Sequence, residues 1–407
     1  MAKVITDSKI VDEVLERGVE KIYPGKKELR ELLLSGRRLR LYCGFDPSAP
    51  SLHVGNAVLI NKLSQFQDLG HEVIFLIGDF TGMIGDPTDK SSARTTKTRK
   101  EVLDNAKLYK KQAGIYLKFS GDNPAQTKYN SKWQDKINFV KLIDLSANFT
   151  VQQMIIRDMF QERIKQEKPI YLHEFLYPLA QAYDSVALDV DLEVGGNDQM
   201  FNMMCGRDLQ KAINNKDKHV LTMKLLADDH GKKMGKSEGN AVFLNETPEN
   251  IYGIIMSWPD GVIGVGFELI TKLPLTEVRQ IQEDLKLDKI NPRDLKMRLA
   301  YEITKLVYDE VKAKKAQDQF INTFQKKEIP DELRVFKTHN IKSANIVHLL
   351  VEVGLATSKS EARRLITEKA IKIDSEIIND INKEIIFTSE GFVLQRGKKQ
   401  FVKIVKE

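Results

Sequence analysis

The sequence predicts an α/β protein built on a parallel sheet, and two observations support this. Short apolar runs at residues 39–45, 73–77 and 192–194 have the length of buried strands, and segments with helical periodicity separate them. Glycine and polar residues follow the end of each run. Because parallel sheets bind ligands beyond the carboxyl ends of their strands, we expect a ligand site where these runs end.

Length and composition limit the classes of protein that need to be considered. The 407 residues are enough for about two or three domains, and 42% hydrophobic with 29% charged residues is ordinary for a globular protein. The longest purely apolar run, 73–77, is far shorter than the roughly 18 residues of a membrane span, so no membrane partner is expected. Two cysteines, Cys43 and Cys205, indicate neither a disulfide framework nor a zinc site, which favours the cytoplasm.

The motif His53-Val54-Gly55-Asn56 follows the first apolar run and opens the amphipathic stretch 57–69. This order predicts a strand, a turn and a helix. The first turn of a helix offers unpaired N–H groups and the positive end of its dipole, and glycine lets a ligand approach the backbone. The motif therefore predicts a phosphate site.

A second motif, Lys233-Met234-Gly235-Lys236-Ser237, lies 180 residues further along the chain (233 minus 53). Its lysines could neutralise phosphoryl oxygens, and its spacing is not that of a P-loop. A lysine-rich run between glycines is also typical of a solvated surface loop. Together with residues 53–56, it favours a pocket for a nucleoside triphosphate.

The predicted helix 174–188 carries Tyr177, Gln181 and Asp184 within about 60° of one another, at ~100° per residue. Apolar residues cover its other sides, so these polar groups are expected to be buried and paired. A structural network could pair them. Three aligned groups instead favour a small ligand with an ammonium at one end and a hydroxyl at the other. Acceptors near the strand ends add to this set: Asp46, Asp86 and Asp198-Gln199.

The remainder of the chain changes character twice. Residues 221–330 are mainly helical in pattern, and 331–341 lack a clear period, which predicts a linker. In the last part, Ser343 is expected to cap a short helix, and Ser358 with Glu361 to form a capping box for the next one. That second helix and a later turn are basic: Arg363, Arg364, Lys369, Arg396, Lys398 and Lys399. Such a surface suits a nucleic-acid backbone, although solvating charges on a small domain are the plainer alternative.

Residues 42–56 resemble the signature region of bacterial tyrosyl-tRNA synthetases, which are class I enzymes. Gly85-Asp86-Pro87, the segment 177–184, Gly195-Gly196-Asn197-Asp198-Gln199 and the lysine loop follow in the family's order. The resemblance extends from about residue 30 to the C-terminus. It implies a Rossmann-like, parallel-sheet catalytic domain (1–220), a helical domain with the lysine loop (221–330), a linker (331–341) and a small α+β RNA-binding domain (342–407).

The resemblance also implies roles for individual residues. Tyr42 and Asp184 would bind the phenol hydroxyl of tyrosine, and the α-ammonium would be surrounded by Asp46, Asp86, Tyr177 and Gln181. ATP would contact Cys43, Ser48, His53, Gly55, Asn56, Gly196, Asp198, Gln199, Lys233, Lys236 and Ser237. Charge stabilisation during catalysis would come from His53, Lys233, Lys236, Lys90 and Arg94. The six basic residues of the last domain would bind tRNA.

The implied activity is tyrosine–tRNA ligation, with ATP and Mg²⁺ as substrate and no tightly bound cofactor. L-tyrosine and tRNA(Tyr) are the further partners, and the family implies a cytoplasmic homodimer. Asn56 and Gly235 depart from the usual family motifs, which leaves the role of position 56 open. The alternatives are a tryptophanyl enzyme, a small-molecule nucleotidyltransferase, and an RNA-binding protein that has lost catalysis.

Overall fold

A computed structural model describes most of the chain and divides it into two compact units, Met1–Lys314 and Lys315–Glu407. The described residues are 3–88, 96–228, 231, 234, 241–325, 333–338, 343–374, 376–387, 391–397 and 400–406. Among them, no helix combines the length and apolar character that a membrane span requires.

The first unit is built on a six-stranded sheet, as far as the described residues show. Its strands are β1 (Val19–Tyr23), β2 (Arg40–Phe45), β3 (Glu72–Ile77), β4 (Gln126–Tyr129), β5 (Leu192–Gly196) and β6 (His219–Met223). Their order is β1-β6-β5-β2-β3-β4; β1 is antiparallel to β6 and the other neighbours are parallel. The predicted fold class is confirmed, and the three predicted runs correspond to β2, β3 and β5.

Helices pack around this sheet and continue beyond it. Their bounds are α1 (Ser8–Glu16), α2 (Lys26–Leu34), α3 (Val54–Asp68), α4 (Thr81–Ile84), α5 (Arg99–Ala106), α6 (Tyr109–Ala113), α7 (Ser131–Gln134), α8 (Phe139–Ser146), α9 (Val151–Ile155), α10 (Asp158–Lys165), α11 (Leu172–Leu188), α12 (Met200–Asn214), α13 (Pro248–Met256), α14 (Val262–Ile270), α15 (Leu275–Lys286), α16 (Pro292–Val307) and α17 (Glu310–Phe320). A π-helical turn, Ile321–Gln325, follows.

The strand order reverses between β2 and β5. The connection after β2 leads to β3 on one side, whereas the connection after β5 leads to β6 on the other. A crevice forms at such a reversal because the two connections leave the sheet in opposite directions. Helix α3 begins in this crevice, and α11 ends just before β5 enters it.

The second unit contains strands β7 (Arg334–Thr338), β8 (Ser343–Asn345), β9 (Ile371–Ile373), β10 (Glu376–Ile377), β11 (Glu384–Ile386), β12 (Phe392–Arg396) and β13 (Gln400–Lys406), with helices α18 (Ile346–Glu352) and α19 (Lys359–Thr367). One sheet has the order β10-β9-β12-β13-β7, and β11 pairs with β8. Leu349, Ile366, Leu394 and Ile404 are fully buried in its core.

Three local predictions in this unit differ from the structure. Residues 334–338, inside the predicted linker, form β7 and pair with β13 in parallel register. Ser343 lies in β8, and the cap of α18 is Asn345, whose side chain accepts the Val347 N–H. Ser358 does cap α19, but the Glu361 carboxylate accepts the N–H of Thr357 rather than that of Ser358. Sequence spacing allows each alternative, and the tertiary contacts select one.

Candidate active site

A cleft of about 1010 Å³ lies at the carboxyl ends of β2, β3 and β5. Its lining includes every described residue that the family resemblance assigns to tyrosine or ATP: Tyr42, Cys43, Asp46, Ser48, His53, Gly55, Asn56, Asp86, Tyr177, Gln181, Asp184, Gly196, Asp198 and Gln199. Seven assigned residues lie outside the described residues: Lys90, Arg94, Lys233, Lys236, Ser237, Lys398 and Lys399.

Asp184 lies at the buried end of the cleft, with 3% of its surface exposed. Its Oδ1 accepts from Trp133 Nε1 at 2.7 Å and from Gln134 Nε2 at 2.8 Å, and its Oδ2 accepts from Asn130 Nδ2 at 3.1 Å. Burial raises the pKa of Asp184 to about 7, against the opposing effect of these three donors. The carboxyl group therefore titrates near neutrality, which is uncommon for an aspartate and typical of functional sites.

Tyr42 faces the same end of the cleft from β2 and is 1% exposed. Its hydroxyl lies 2.9 Å from Ser185 Oγ on α11. Burial, followed by the charges of Glu193 and Asp184, holds the pKa of Tyr42 well above its ordinary value. The phenol is therefore protonated and can act as a hydrogen-bond donor.

Gln181 was predicted to face a ligand, and the structure places its amide nitrogen 3.1 Å from Glu193 Oε1. Glu193 is in the middle of β5 and also lines the cleft. Sequence analysis missed it because an acidic residue between Leu192 and Val194 was treated as part of an apolar strand. Its position two residues before the Gly195-Gly196 pair was the available signal.

Two further carboxylates line the cleft at Asp46 and Asp86. Asp46 accepts from Tyr177 Oη at 2.8 Å and from Thr81 Oγ1 at 2.6 Å. Tyr177 lies seven residues before Asp184 on α11, which separates their Cα atoms by about 10 Å along the helix axis. Helix α11 therefore presents the buried carboxyl of Asp184 to one part of the cleft. To another part it presents the Tyr177 hydroxyl, which donates to the Asp46 carboxylate.

Asp86 is held by a set of side chains from three segments. Its Oδ2 accepts from Gln199 Nε2 at 2.6 Å, and its Oδ1 accepts from Thr88 Oγ1 at 2.6 Å. Thr88 in turn accepts from Arg157 Nη2 at 2.8 Å. Asp46 and Asp86 supply the negative charge that an ammonium group needs.

The N-terminus of α3 differs from the prediction of unpaired N–H groups, because the N–H groups of Val54, Gly55 and Asn56 all have acceptors within the protein; the positive end of the helix dipole is the part of the prediction that the structure retains. His53 is the N-cap, and its Nδ1 accepts the Gly55 N–H at 3.1 Å. Asn56 Oδ1 accepts the His53 N–H at 3.1 Å, which completes a capping box. Asn56 thus stabilises the turn that presents the histidine, a role that its sequence position alone left open.

The two motifs, far apart in sequence, meet at this turn. Val54 N–H donates to Val242 O at 2.9 Å, and His53 bridges Phe243 in antiparallel fashion. Met234, inside the lysine motif, is buried, and its N–H donates to Leu226 O at 2.7 Å. Val242 and Phe243, which follow the lysine motif, are therefore anchored beside the helix N-terminus, and Met234 within the motif is anchored to Leu226.

Lys97 is a cation of the cleft that sequence analysis did not select. Its Nζ donates to Ser48 O at 2.7 Å. It belongs to the basic sequence segment after Asp86, where the spacing of the cations does not single out one of them. Gly196 is placed so that a Cβ would lie 2.5 Å from Asp198 Oδ1, so a side chain there would displace Asp198.

In the second unit, the predicted basic residues have different environments. Arg363, Arg364 and Lys369 are exposed on or directly after α19. Arg396 instead donates to Glu361 Oε1 at 2.8 Å and to Leu355 O at 2.7 Å, so part of its hydrogen-bonding capacity is used within the unit.

Comparison with known proteins assigns both units. Residues 34–325 match the family described as tRNA synthetases class I (W and Y), and residues 326–404 match the tyrosine–tRNA ligase SYY-like C-terminal domain. A tyrosine–tRNA ligase of Thermotoga maritima is 44% identical over 392 residues, covering 96% of each chain. One from Moorella thermoacetica is 42% identical over 399 residues, covering 96% of this chain and 94% of the relative.

Solved structures agree on the fold. A C-terminally truncated mitochondrial tyrosyl-tRNA synthetase of Aspergillus nidulans matches with a TM-score of 0.66 and 24% identity, over 77% of this chain and 94% of that one. The Archaeoglobus fulgidus tyrosyl-tRNA synthetase complexed with L-tyrosine matches with a TM-score of 0.60 and 22% identity, over 76% and 100%.

Proposed function

This chain belongs to the tyrosine–tRNA ligases of class I, and we propose that its cleft binds tyrosine between Asp184 and Asp46 with ATP beside the start of α3. The chain is an aminoacyl-tRNA synthetase of protein biosynthesis, which activates tyrosine with ATP and transfers the tyrosyl group to tRNA(Tyr). The proposed roles of individual residues rest on the geometry of the cleft.

One observation carries the tyrosine assignment: the polar groups of the cleft match the two ends of tyrosine. A protonated phenol at Tyr42 and a buried carboxyl at Asp184 can pair with the substrate hydroxyl. The carboxylates of Asp46 and Asp86, with Tyr177, can receive the ammonium. Gln181 lies between Tyr177 and Asp184 on helix α11. Phenylalanine would leave the first pair without a partner in a buried site, which disfavours its binding.

ATP is proposed to bind along the opposite side of the cleft. Gly196, Asp198 and Gln199 follow β5 and would receive adenosine and its ribose, with Cys43 beside them. The phosphates would lie against the N-terminus of α3, where the positive end of the helix dipole favours anions. Ser48, His53, Gly55 and Asn56 line that region, and Mg²⁺ would arrive coordinated by the ATP phosphates.

The first chemical step needs positioning more than acid–base catalysis. A carboxylate oxygen of tyrosine attacks the α-phosphorus, the bond from that phosphorus to the bridging oxygen breaks, and pyrophosphate leaves. Tyrosyl-adenylate is formed. His53 and Lys97, with Lys90, Arg94, Lys233 and Lys236 outside the described residues, are proposed to stabilise the charge on the departing group.

In the second step, a hydroxyl of the terminal adenosine of tRNA attacks the carbonyl carbon of the adenylate, and AMP leaves. We assign tRNA binding outside the cleft to Arg363, Arg364 and Lys369, which are exposed near one another on the second unit. Lys398, Lys399 and Arg396 belong to the same proposal, with Arg396 the weakest contributor because it already pairs with Glu361.

A homodimer is also proposed, from an apolar face between residues 139 and 172. Six of its large side chains are more than half exposed: Phe139, Val140, Ile143, Val151, Ile156 and Leu172. Exposed large apolar side chains concentrated in one segment favour an interaction surface, and a second copy of the chain is the partner that the family implies. A cytoplasmic location agrees with the two free thiols, Cys43 and Cys205.

The test of the active site is ATP–pyrophosphate exchange with tyrosine, with tryptophan and without amino acid. Asp184→Ala should abolish the tyrosine-dependent exchange. Asp189→Asn is the matched control, because Asp189 caps the end of the same helix, points its carboxylate at Lys216 and is outside the cleft. Unchanged exchange by Asp184→Ala would refute the tyrosine assignment, and exchange driven by tryptophan would favour the alternative specificity.

A further inference from the structure

A buried ion pair lies directly behind Tyr42. Lys218, at the start of β6, and Glu193, on β5, have side chains that are 0% and 3% exposed and are in hydrogen-bond contact. Lys218 Nζ also donates to Ser185 Oγ at 2.8 Å, and Ser185 Oγ is the atom that lies 2.9 Å from the Tyr42 hydroxyl. Three elements of the fold thus connect an ammonium group to the phenol at the buried end of the cleft.

The donors and acceptors in this chain of contacts allow two directions. Lysine can only donate, so Ser185 Oγ accepts from Lys218. The single Ser185 proton has two possible acceptors, Tyr42 at 2.9 Å and Glu193 Oε2 at 3.3 Å. Both can take it, because a carboxylate oxygen that accepts from Lys218 can accept a second hydrogen bond. A serine proton given to Tyr42 leaves the Tyr42 proton to point into the cleft, whereas a serine proton given to Glu193 leaves Ser185 Oγ to accept from Tyr42.

A bound tyrosine phenol selects the direction in which Ser185 donates to Tyr42 and Tyr42 donates into the cleft. Asp184 Oδ1 already accepts two hydrogen bonds, whereas Oδ2 accepts one from Asn130 and has the capacity for a second. The phenol of tyrosine has one proton, which Asp184 Oδ2 can accept. The phenol oxygen then needs a donor. If Tyr42 donated back to Ser185, two acceptors would compete for one substrate proton.

We propose that Lys218 and Ser185 are positioning residues for substrate selection, which hold the Tyr42 hydroxyl as a donor to the phenol oxygen of tyrosine. The proposal rests on the tyrosine site proposed above, and it adds the reason why the Tyr42 hydroxyl donates its proton toward the substrate. Hydrogen bonds would run in one sequence from Lys218 to Ser185, Tyr42, the substrate phenol and Asp184. A charged donor at the origin polarises such a chain and strengthens its members.

Helix α12 is shaped to accommodate this group. Gly206 lies against it, and a Cβ at that position would be 2.6 Å from Lys218 Nζ, 2.8 Å from Ser185 Oγ and 3.3 Å from Glu193 Oε2. An alanine there would be a better helix former than glycine, yet it would displace all three side chains. Gly206→Ala is therefore a way to move the group without removing any of its polar atoms.

The experiment measures kcat/KM in pyrophosphate exchange for tyrosine and for phenylalanine with the full-length protein. Ser185→Ala should lower the tyrosine-to-phenylalanine ratio by roughly tenfold or more, the effect of one lost buried hydrogen bond, and change the phenylalanine value by less than about twofold. Gly206→Ala should lower the ratio in the same direction. Ser64→Ala is the matched control, since Ser64 is a buried helical serine on α3 whose hydroxyl donates to Asn61 O.

A double-mutant cycle with Tyr42→Phe separates positioning from general destabilisation. In the Tyr42→Phe background, Ser185→Ala should no longer change the ratio, because the proposed action passes through the Tyr42 hydroxyl. An unchanged ratio in both Ser185→Ala and Gly206→Ala, or an effect of Ser185→Ala that persists in the Tyr42→Phe background, would overturn the proposal. Absence of tyrosine-dependent exchange by the unmodified protein would instead overturn the proposed tyrosine site itself.

Discussion

Tyrosine affinity should depend on pH through Asp184. The pKa of this buried carboxyl is raised to about 7, so the free protein holds a proton there under mildly acidic conditions. Oδ1 accepts from Trp133 and Gln134, so that proton must sit on Oδ2, where the substrate phenol needs an acceptor. Binding therefore selects the ionised form, and affinity is retained above about pH 7 and lost as pH falls.

The magnitude follows from the pKa. Well below about pH 7 the affinity should fall tenfold per pH unit, and between pH 7.5 and 5.5 the total change is about 25-fold, or roughly 1.9 kcal/mol. At pH 7, where half of the sites are protonated, binding should release about half a proton. The raised pKa also makes the stability of the folded protein depend on pH, because the folded state binds this proton more tightly than the unfolded state. The contribution of Asp184 to stability is therefore fully present below pH 3.8, its ordinary pKa, and is lost as pH rises through about 7.

Isothermal titration calorimetry can measure both quantities, with tyrosine titrated at several pH values and in two buffers of different ionisation enthalpy. Asp184→Asn is the control, because its side chain does not titrate and its weaker tyrosine affinity should be flat over this range. A flat profile for the unmodified protein would refute the reasoning. So would an equal slope in Asp184→Asn, because another group would then be responsible.

Three further outcomes are expected. Arg163→Met should lower the denaturation midpoint by the equivalent of about 3–5 kcal/mol, because it leaves the buried Glu174 carboxylate without its paired guanidinium. The double variant Arg163→Met with Glu174→Met should recover most of the lost stability. An unchanged midpoint in Arg163→Met would contradict this prediction. Deleting residues 342–407 should spare tyrosine-dependent exchange and weaken aminoacylation of tRNA, and equal aminoacylation would exclude a role of the second unit in tRNA binding. Ile156→Asp should shift sedimentation toward monomer, whereas Val311→Asp, which is equally exposed but outside the apolar face, should not; identical sedimentation of the two variants would exclude that face.

Local patterns predicted the elements that hold the cleft. The apolar runs at β2, β3 and β5 were identified because buried parallel strands are continuously hydrophobic, and α11 because its polar residues share one face. β1, β4 and β6 were not identified. β1 has no fully buried residue and carries two consecutive exposed charged residues, and β4 is four residues long, so neither differs enough from a loop.

The partners of Asp184 show where such reasoning stops. Asn130, Trp133 and Gln134 all come from the segment around α7, which has no motif and no period. Their convergence on one carboxylate depends on where β4 ends in the sheet. The same holds for Arg157, which reaches Thr88 from a different part of the chain.

The sequence by itself determined the fold class, the order of the motifs and the chemistry available to the cleft, because hydrophobic periodicity and residue type are local properties. Only the tertiary structure decided which of those groups meet. It placed Lys218 behind Tyr42, 176 positions further along the chain (218 minus 42), and buried Asp184 deeply enough to raise its pKa to about 7. Burial and hydrogen-bond direction arise from contacts between distant segments, and the spacing of residues along one segment does not encode them.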